Sequence, residues 1–224
     1  MKKALLLIAA IFAFNFANAQ GFKFGLKGGA NYSNVTGGDK EDFFGDPDYK
    51  TSYHFGVVGL YELDADGFLG IKPELLYTSK GYQLNNKFDN ELGGKTDLEV
   101  KTNLNYISLP ILLNINAGGL FFELGPEFAY LAAATGEVKV DKRDANGNKI
   151  NDDKNEYQID EDAFAGFDFG YVAGIGYQSD MGLGIGLRYN GGMKSIFDTK
   201  DSEEPNVKNS NFMLSLSYMF GGGN

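Results

Sequence analysis

One stretch limits the fold more than any other: FDFGYVAGIGYQSDMGLGIGLRYN, residues 167–190. Alternate positions, Phe167, Phe169, Tyr171, Ala173, Ile175 and Tyr177, then Leu183, Ile185, Leu187 and Tyr189, are mostly large and apolar. The positions between them are small or polar: Asp168, Gly170, Val172, Gly174, Gly176 and Gln178, then Gly184, Gly186, Arg188 and Asn190. A period of two on both sides of a Ser179-Asp180-Met181-Gly182 turn predicts a β-hairpin. Glycine weakens a strand on propensity grounds, so its repetition on one face needs a cause. A crowded barrel interior supplies one.

The same alternation recurs along the chain. A first strand over residues 22–33 sets Phe22, Phe24, Leu26, Ala30 and Tyr32 against Lys23, Gly25, Lys27, Gly29 and Asn31. A second, 51–63, sets Tyr53, Phe55, Val57 and Tyr61 against His54, Gly56 and Glu62. A third, 68–83, opposes Leu69, Ile71, Leu75 and Tyr77 to Gly70, Lys72, Glu74 and Thr78, and Pro73 predicts a bulge or a broken ladder within it. A polar loop is expected over 84–97, then a fourth strand over 98–115 with a second irregularity at Pro110. The fifth, from Leu120 to Ala132, places Phe122, Leu124, Phe128 and Tyr130 opposite Glu123, Gly125, Glu127 and Ala129. In the long connection 134–162, Asn146-Gly147 is a strong hairpin signal, which predicts that the fifth and sixth strands continue beyond a membrane. The hairpin at 167–190 supplies the sixth and seventh strands, and 211–220 the eighth.

The seven connections alternate long and short. With the amino terminus in the periplasm, every long one falls outside the cell, as in bacterial outer-membrane barrels. The expected fold is therefore all-β, an eight-stranded antiparallel up-and-down transmembrane β-barrel. Met1-Lys2-Lys3, an apolar run and Ala17-Asn18-Ala19 read as a cleaved signal peptide over 1–19, leaving a barrel domain over 20–224 in the cell outer membrane. The chain has no cysteine, so closure and packing must replace disulfides. A net charge of -10 argues against nucleic acid as a partner.

A soluble lipocalin-type calyx also has eight up-and-down strands, but with the apolar face turned inward. Glycines clustered on the polar face and aromatic residues near strand ends favour the membrane form, in which girdles of Tyr and Phe mark both interfaces. Inside such a barrel the polar face gathers Lys23, Lys27, Lys72 and Arg188 with Glu62, Glu74, Glu123, Glu127 and Asp168. An eight-stranded interior is just wide enough for side chains to fill, so these charges are expected to pair into a structural plug. A wide selective pore would favour one sign.

Catalysis finds little support. Glu123 and Glu127 lie four apart on a strand, roughly 13 Å at about 3.3 Å per residue, too far for a glycosidase pair. His54, the sole histidine, has no serine nucleophile motif with it. Asp144-Ala145-Asn146-Gly147-Asn148 echoes the start of a calcium loop but lacks the later Gly and Glu, so it reads as a turn and no metal or cofactor is expected. The loop acids Asp39, Glu41, Asp42, Asp152, Asp153, Glu203 and Glu204 read as a solvated outer surface.

The order of several short motifs also resembles a known family, the outer-membrane β-barrel domain of the porin-family or PorT-like type. The motifs are Phe22-x-Phe-Gly-x-Lys-Gly-Gly29, Ile71-x-Pro-Glu-Leu75, Asn105-Tyr-Ile-x-Leu-Pro110, Gly125-Pro126 and Arg188-Tyr-Asn-x-Gly192. The resemblance covers essentially the whole mature chain; the tail Gly221–Asn224, beyond the terminal aromatic Phe220, departs from it. It implies an eight-stranded barrel of broad function. Such a barrel is expected to contact outer-membrane lipid and to meet envelope or secretion proteins through its outer loops. A small passive porin or a PorT-like accessory of secretion are the alternatives to a structural or interaction role.

Overall fold

The computed structural model describes residues 22–89, 94–198 and 205–220. The expected leader 1–19, the loop acids Glu203 and Glu204 and the tail 221–224 lie outside them. The elements are β1 (Phe22–Thr36), a short helix α1 (Lys40–Phe44), β2 (Lys50–Glu62), β3 (Leu69–Asp89), β4 (Lys95–Ala117) and β5 (Leu120–Arg143). They continue with β6 (Lys149–Gln158), a single 3-10 turn (Glu161–Ala163), β7 (Phe167–Gln178), β8 (Leu183–Gly192) and β9 (Lys208–Phe220). Among the described residues no helix is long and apolar enough to cross a membrane.

Eight strands close into a ring in the order β1-β2-β3-β4-β5-β7-β8-β9, all antiparallel, and β9 returns to β1 from Phe24↔Phe220 to Thr36↔Lys208. Closure leaves no sheet edge in the wall, the condition for a β structure to sit in lipid. Short turns join strands at one end, helped by Gly119 and Gly182, whose positive φ values of 91° and 87° suit tight reversals. Long connections crowd the other end.

The orientation of the faces is inside out relative to a soluble barrel. In β8, Leu187 is 53% exposed while its neighbour Arg188 is 3% exposed. Leu26, Phe55, Leu75, Leu124, Ile185 and Leu216 share the outward face with Leu187, whereas Lys27, Lys72, Glu74, Lys80, Glu123 and Glu127 are buried. An apolar wall around a charged interior fits hydrocarbon outside and rules out the water-facing calyx.

The structure departs from the sequence expectations in three places. Residues 84–89 and 95–97 are strand, because β3 and β4 stay paired as far as Asp89↔Lys95. The hairpin at Asn146-Gly147 forms, but the partner of upper β5 is a separate strand: β6 pairs from Thr135↔Gln158 to Arg143↔Lys149, and β7 takes over below Tyr130↔Phe167. Residues 135–143 thus extend roughly 30 Å past the ring at about 3.3 Å per residue. The last strand starts at Lys208, because β1 continues to Thr36 and offers it partners.

Prolines interrupt the wall along a diagonal. The β2–β3 ladder skips from Val58↔Glu74 to Tyr61↔Ile71 at Pro73, and β3–β4 skips from Pro73↔Ile111 to Leu76↔Ser108 at Pro110. The β4–β5 ladder skips from Pro110↔Glu127 to Leu113↔Leu124 at Pro126. Each proline lacks the N–H that the ladder would use.

Candidate functional site

Inward-facing charges from β1, β3, β5, β7 and β8 meet in two clusters at different heights. In the first, Lys27 Nζ donates to Glu74 Oε1 at 2.6 Å and Lys72 Nζ to Glu123 Oε1 at 2.5 Å. Arg188 joins both carboxylates: Nη1 and Nη2 donate to the two oxygens of Glu74 at 2.7 Å each, and Nε donates to Glu123 Oε2 at 2.6 Å. In the second, Lys80 Nζ reaches Glu127 at 2.7 Å and Asp168 at 3.2 Å. Two neutral donors complete it, Asn190 Nδ2 to Glu127 Oε2 at 2.5 Å and Asn209 Nδ2 to Asp168 Oδ2 at 2.9 Å. Lys23 and Glu62 form a third, partly exposed pair at 2.7 Å near the short turns.

Glycines make these reaches possible. Gly174 on β7 lies between Glu123 on β5 and Arg188 on β8 in the register. A Cβ there would come 2.7 Å from Arg188 Cγ, so the missing side chain is the passage through which the guanidinium crosses a strand. Gly56 on β2 lies between Lys27 on β1 and Leu76 on β3 in the register, and a Cβ there would come 2.9 Å from Leu76 Cδ2. Phe121 leans across Gly176, and Lys72 Nζ sits 4.7 Å from its ring centroid.

His54 is buried, with Nδ1 2.7 Å from Asn31 Oδ1 and Nε2 2.9 Å from Ser215 Oγ. Asn31 Nδ2 is spent on the carbonyls of Tyr53 and Ser79, so its oxygen faces the ring and accepts from Nδ1–H. Ser215 then donates to Nε2. A serine whose proton already points at the imidazole superficially suits nucleophilic chemistry, but Ser215 is itself buried within the wall of packed side chains. Glu123 and Glu127 belong to different clusters rather than to one acid–base pair.

Sequence reasoning passed over Lys80 and Asn209, and placed Asn190 on the polar face without joining it to the charges. Lys80 continues the inward series Lys72, Glu74, Leu76, Thr78 and could have been found by extending it two residues. Lys50 was also missed; it is buried and donates to the Lys80 carbonyl at 2.9 Å and to Asn103 Oδ1 at 2.5 Å.

Above the charges, at the long-connection end, is an apolar cap. Val35, Tyr82, Leu104, Tyr106, Leu131, Phe164, Ile196 and Val207 are buried together, with Phe44 and Phe197 packed on them. The rings of Phe44 and Tyr82 lie 4.3 Å apart and those of Phe164 and Phe197 5.8 Å. Hydrogen bonds knit the connections over the mouth: Ala165 N–H to Ile196 O at 2.7 Å and Ile196 N–H to Val207 O at 2.8 Å between backbones, and Asn206 N–H to the side-chain Oδ2 of Asp39 at 2.7 Å. The loop acids Glu41, Asp42, Asp152 and Asp153 are exposed and Asp39 is half-buried, while apolar side chains of the same end pack into the cap. At the opposite end a cavity of about 300 Å³ opens among Lys23, Glu62, Asn114, Asn116, Gln178 and Asp180.

At the β5–β6 turn, Asp144 Oδ1 accepts from the N–H groups of Asn146 and Asn148, and Oδ2 from the Asn148 side chain. Among the described residues no group of three or more His, Cys, Asp or Glu could hold a metal ion.

The chain resembles solved structures of the attachment invasion locus protein Ail of Yersinia pestis (14% identity, 90% of this chain and 100% of that chain, TM-score 0.39) and of Neisserial surface protein A (12%, 89% and 99%, TM-score 0.39). It also resembles the outer membrane protein OprG from Pseudomonas aeruginosa (11%, 89% and 96%, TM-score 0.35). No curated protein matches it by sequence. The family model described as outer membrane protein beta-barrel domain matches residues 16–198. The chain belongs to that outer-membrane β-barrel family and resides in the outer membrane.

Proposed function

We propose that the protein is a plugged outer-membrane scaffold that presents its long connections and the β5–β6 arm to partners outside the cell. The observation that carries this reading is the double filling of the barrel: ion-paired side chains across the middle and an apolar cap over the mouth. Balanced charges that bond to one another leave no single-sign lining for a permeating solute.

In this reading the leader 1–19 is removed after Ala19 and residues 20–224 form the barrel. The short turns face the periplasm and the arm faces outward. The nine charged lumen residues named from the sequence serve the fold rather than chemistry, and the protein is not an enzyme. Envelope or secretion proteins meet it through the acidic outer surface that includes Asp39, Glu41, Asp42, Asp152 and Asp153.

Two experiments test the proposal. Proteoliposomes carrying the barrel should swell in small sugars no faster than empty ones; rapid swelling would mean a passive porin. Crosslinking from intact cells should capture an envelope protein through residues 135–158, and a capture that survives deletion of residues 139–153 would place the contact elsewhere.

A further inference from the structure

The outer wall is not uniformly convex. An apolar groove of about 460 Å³ opens on the lipid side of β1, β2 and β3, with Phe22, Phe24, Val57, Leu75 and Leu109 around it. Gly59 and Pro73 both line it, with Pro73 Cγ 3.4 Å from where a Cβ on Gly59 would lie. Gly59 takes an outward position between Val57 and Tyr61, both exposed, so the apolar face lacks a side chain there. Pro73 is where the β2–β3 ladder skips two pairs. A missing side chain and a broken ladder coincide where the wall is dented.

We propose that this groove seats one acyl chain of a glycerophospholipid from the periplasmic leaflet. The face around the groove is already the lipid-contacting surface, so the occupant is drawn from the surrounding hydrocarbon. A chain lying in a dent touches apolar atoms on several sides, and those dispersion contacts are absent on a flat wall. The volume falls within the range of small-molecule sites. Gly59 and Pro73 lie roughly 10 and 13 Å, at about 3.3 Å per residue, from the short-turn ends of β2 and β3. In a hydrocarbon core of about 30 Å this is the half next to those turns. The leaflet assignment rests on the orientation proposed above; the seat itself does not.

Native mass spectrometry of the folded barrel, extracted from membranes containing both phospholipid and outer-leaflet glycolipid, tests the proposal. The wild-type barrel should retain one glycerophospholipid under activation that strips the rest. Gly59→Leu should lose it: even a Cβ at this position lies 3.2 Å from the Phe22 ring and 3.4 Å from Pro73 Cγ, and the longer side chain fills the groove. Leu109→Trp, which fills the groove from the opposite wall, should also lose it and decides the matter if Gly59→Leu does not fold. Gly28→Leu, on the lipid face where an added Cβ meets only ordinary contacts at 3.6 and 3.8 Å, should retain it. Absence of a retained lipid on the wild type, retention by either folded groove variant, or loss in Gly28→Leu would overturn the seat. A retained glycolipid in place of a phospholipid would overturn the leaflet assignment and with it the orientation.

Discussion

Arg188 and Glu74, 114 residues apart in sequence, meet as a two-pronged pair inside the barrel, each terminal nitrogen of the guanidinium donating to a different carboxylate oxygen at 2.7 Å. Both residues are almost wholly buried. Without Arg188, Glu74 keeps Lys27 and Glu123 keeps Lys72, but both buried carboxylates lose their guanidinium hydrogen bonds. Arg188→Met should destabilise the barrel by about 3–5 kcal/mol in urea-dependent folding into lipid vesicles. Adding Glu74→Gln should deepen that loss, because the buried Lys27 would lose its carboxylate partner, whereas Lys23→Ala, at the partly exposed end pair, should cost no more than about 1 kcal/mol. An Arg188→Met barrel as stable as the wild type would mean that the interior is open to water.

The glycine faces make a second, sharper forecast. Gly174→Val would push into Arg188 Cγ and the Leu187 carbonyl and should cost about 1–3 kcal/mol by overpacking. Gly186→Ala finds its nearest neighbour, the Phe121 ring, at 3.5 Å and should be nearly silent. The same urea titration compares them, and equal effects would remove the passage role assigned to Gly174.

How much of this could be read from the residues alone differs by layer. The wall was legible because period two survives in every ring strand, and Leu187 beside Arg188 shows both faces in adjacent positions. Seven of the nine named charges fall in the two clusters because they share that inward period, and Lys23 with Glu62 make up the third pair. Lys80 lay one step past the point where the alternation was followed. The cap was illegible: Phe44, Phe164, Ile196 and Phe197 sit in connections with no period, and they meet only through long-range docking. β6 was illegible as a separate strand because an Asn-Gly hairpin signal does not say whether the returning strand joins the ring.

Lipid contact predicts the penalty for misplacing a charge. Leu187→Arg puts a guanidinium on the outward face, where basic residues near the bilayer midplane cost about 2–4 kcal/mol. Folding yield into vesicles should fall accordingly. An unchanged yield would argue that this face does not meet hydrocarbon.

The β5–β6 turn carries a pH dependence. The Asn148 side chain bonded to Asp144, helped by the N–H groups of Asn148, Asn146 and Gly147, holds its carboxyl below the usual aspartate range. A lowered folded value means that the turn's stabilisation is present above the ordinary carboxylate range and is lost as pH falls through the lowered one. Amide exchange at Asn146 and Asn148 should therefore be slow near neutrality, after correction for intrinsic rates, and gain a fast component only in strong acid. Asp144→Ala should abolish the slow exchange at any pH, and persistence of protection in that variant would show that the turn holds without the carboxylate.

Single-channel recording in planar bilayers tests the proposed plug most directly. Purified wild-type barrel should give no stable, large conductance steps, because ion-paired side chains span the lumen and Phe44, Phe164 and Phe197 lie over its mouth. Reproducible steps from folded protein, persisting at high salt and over many insertions, would contradict the plugged barrel.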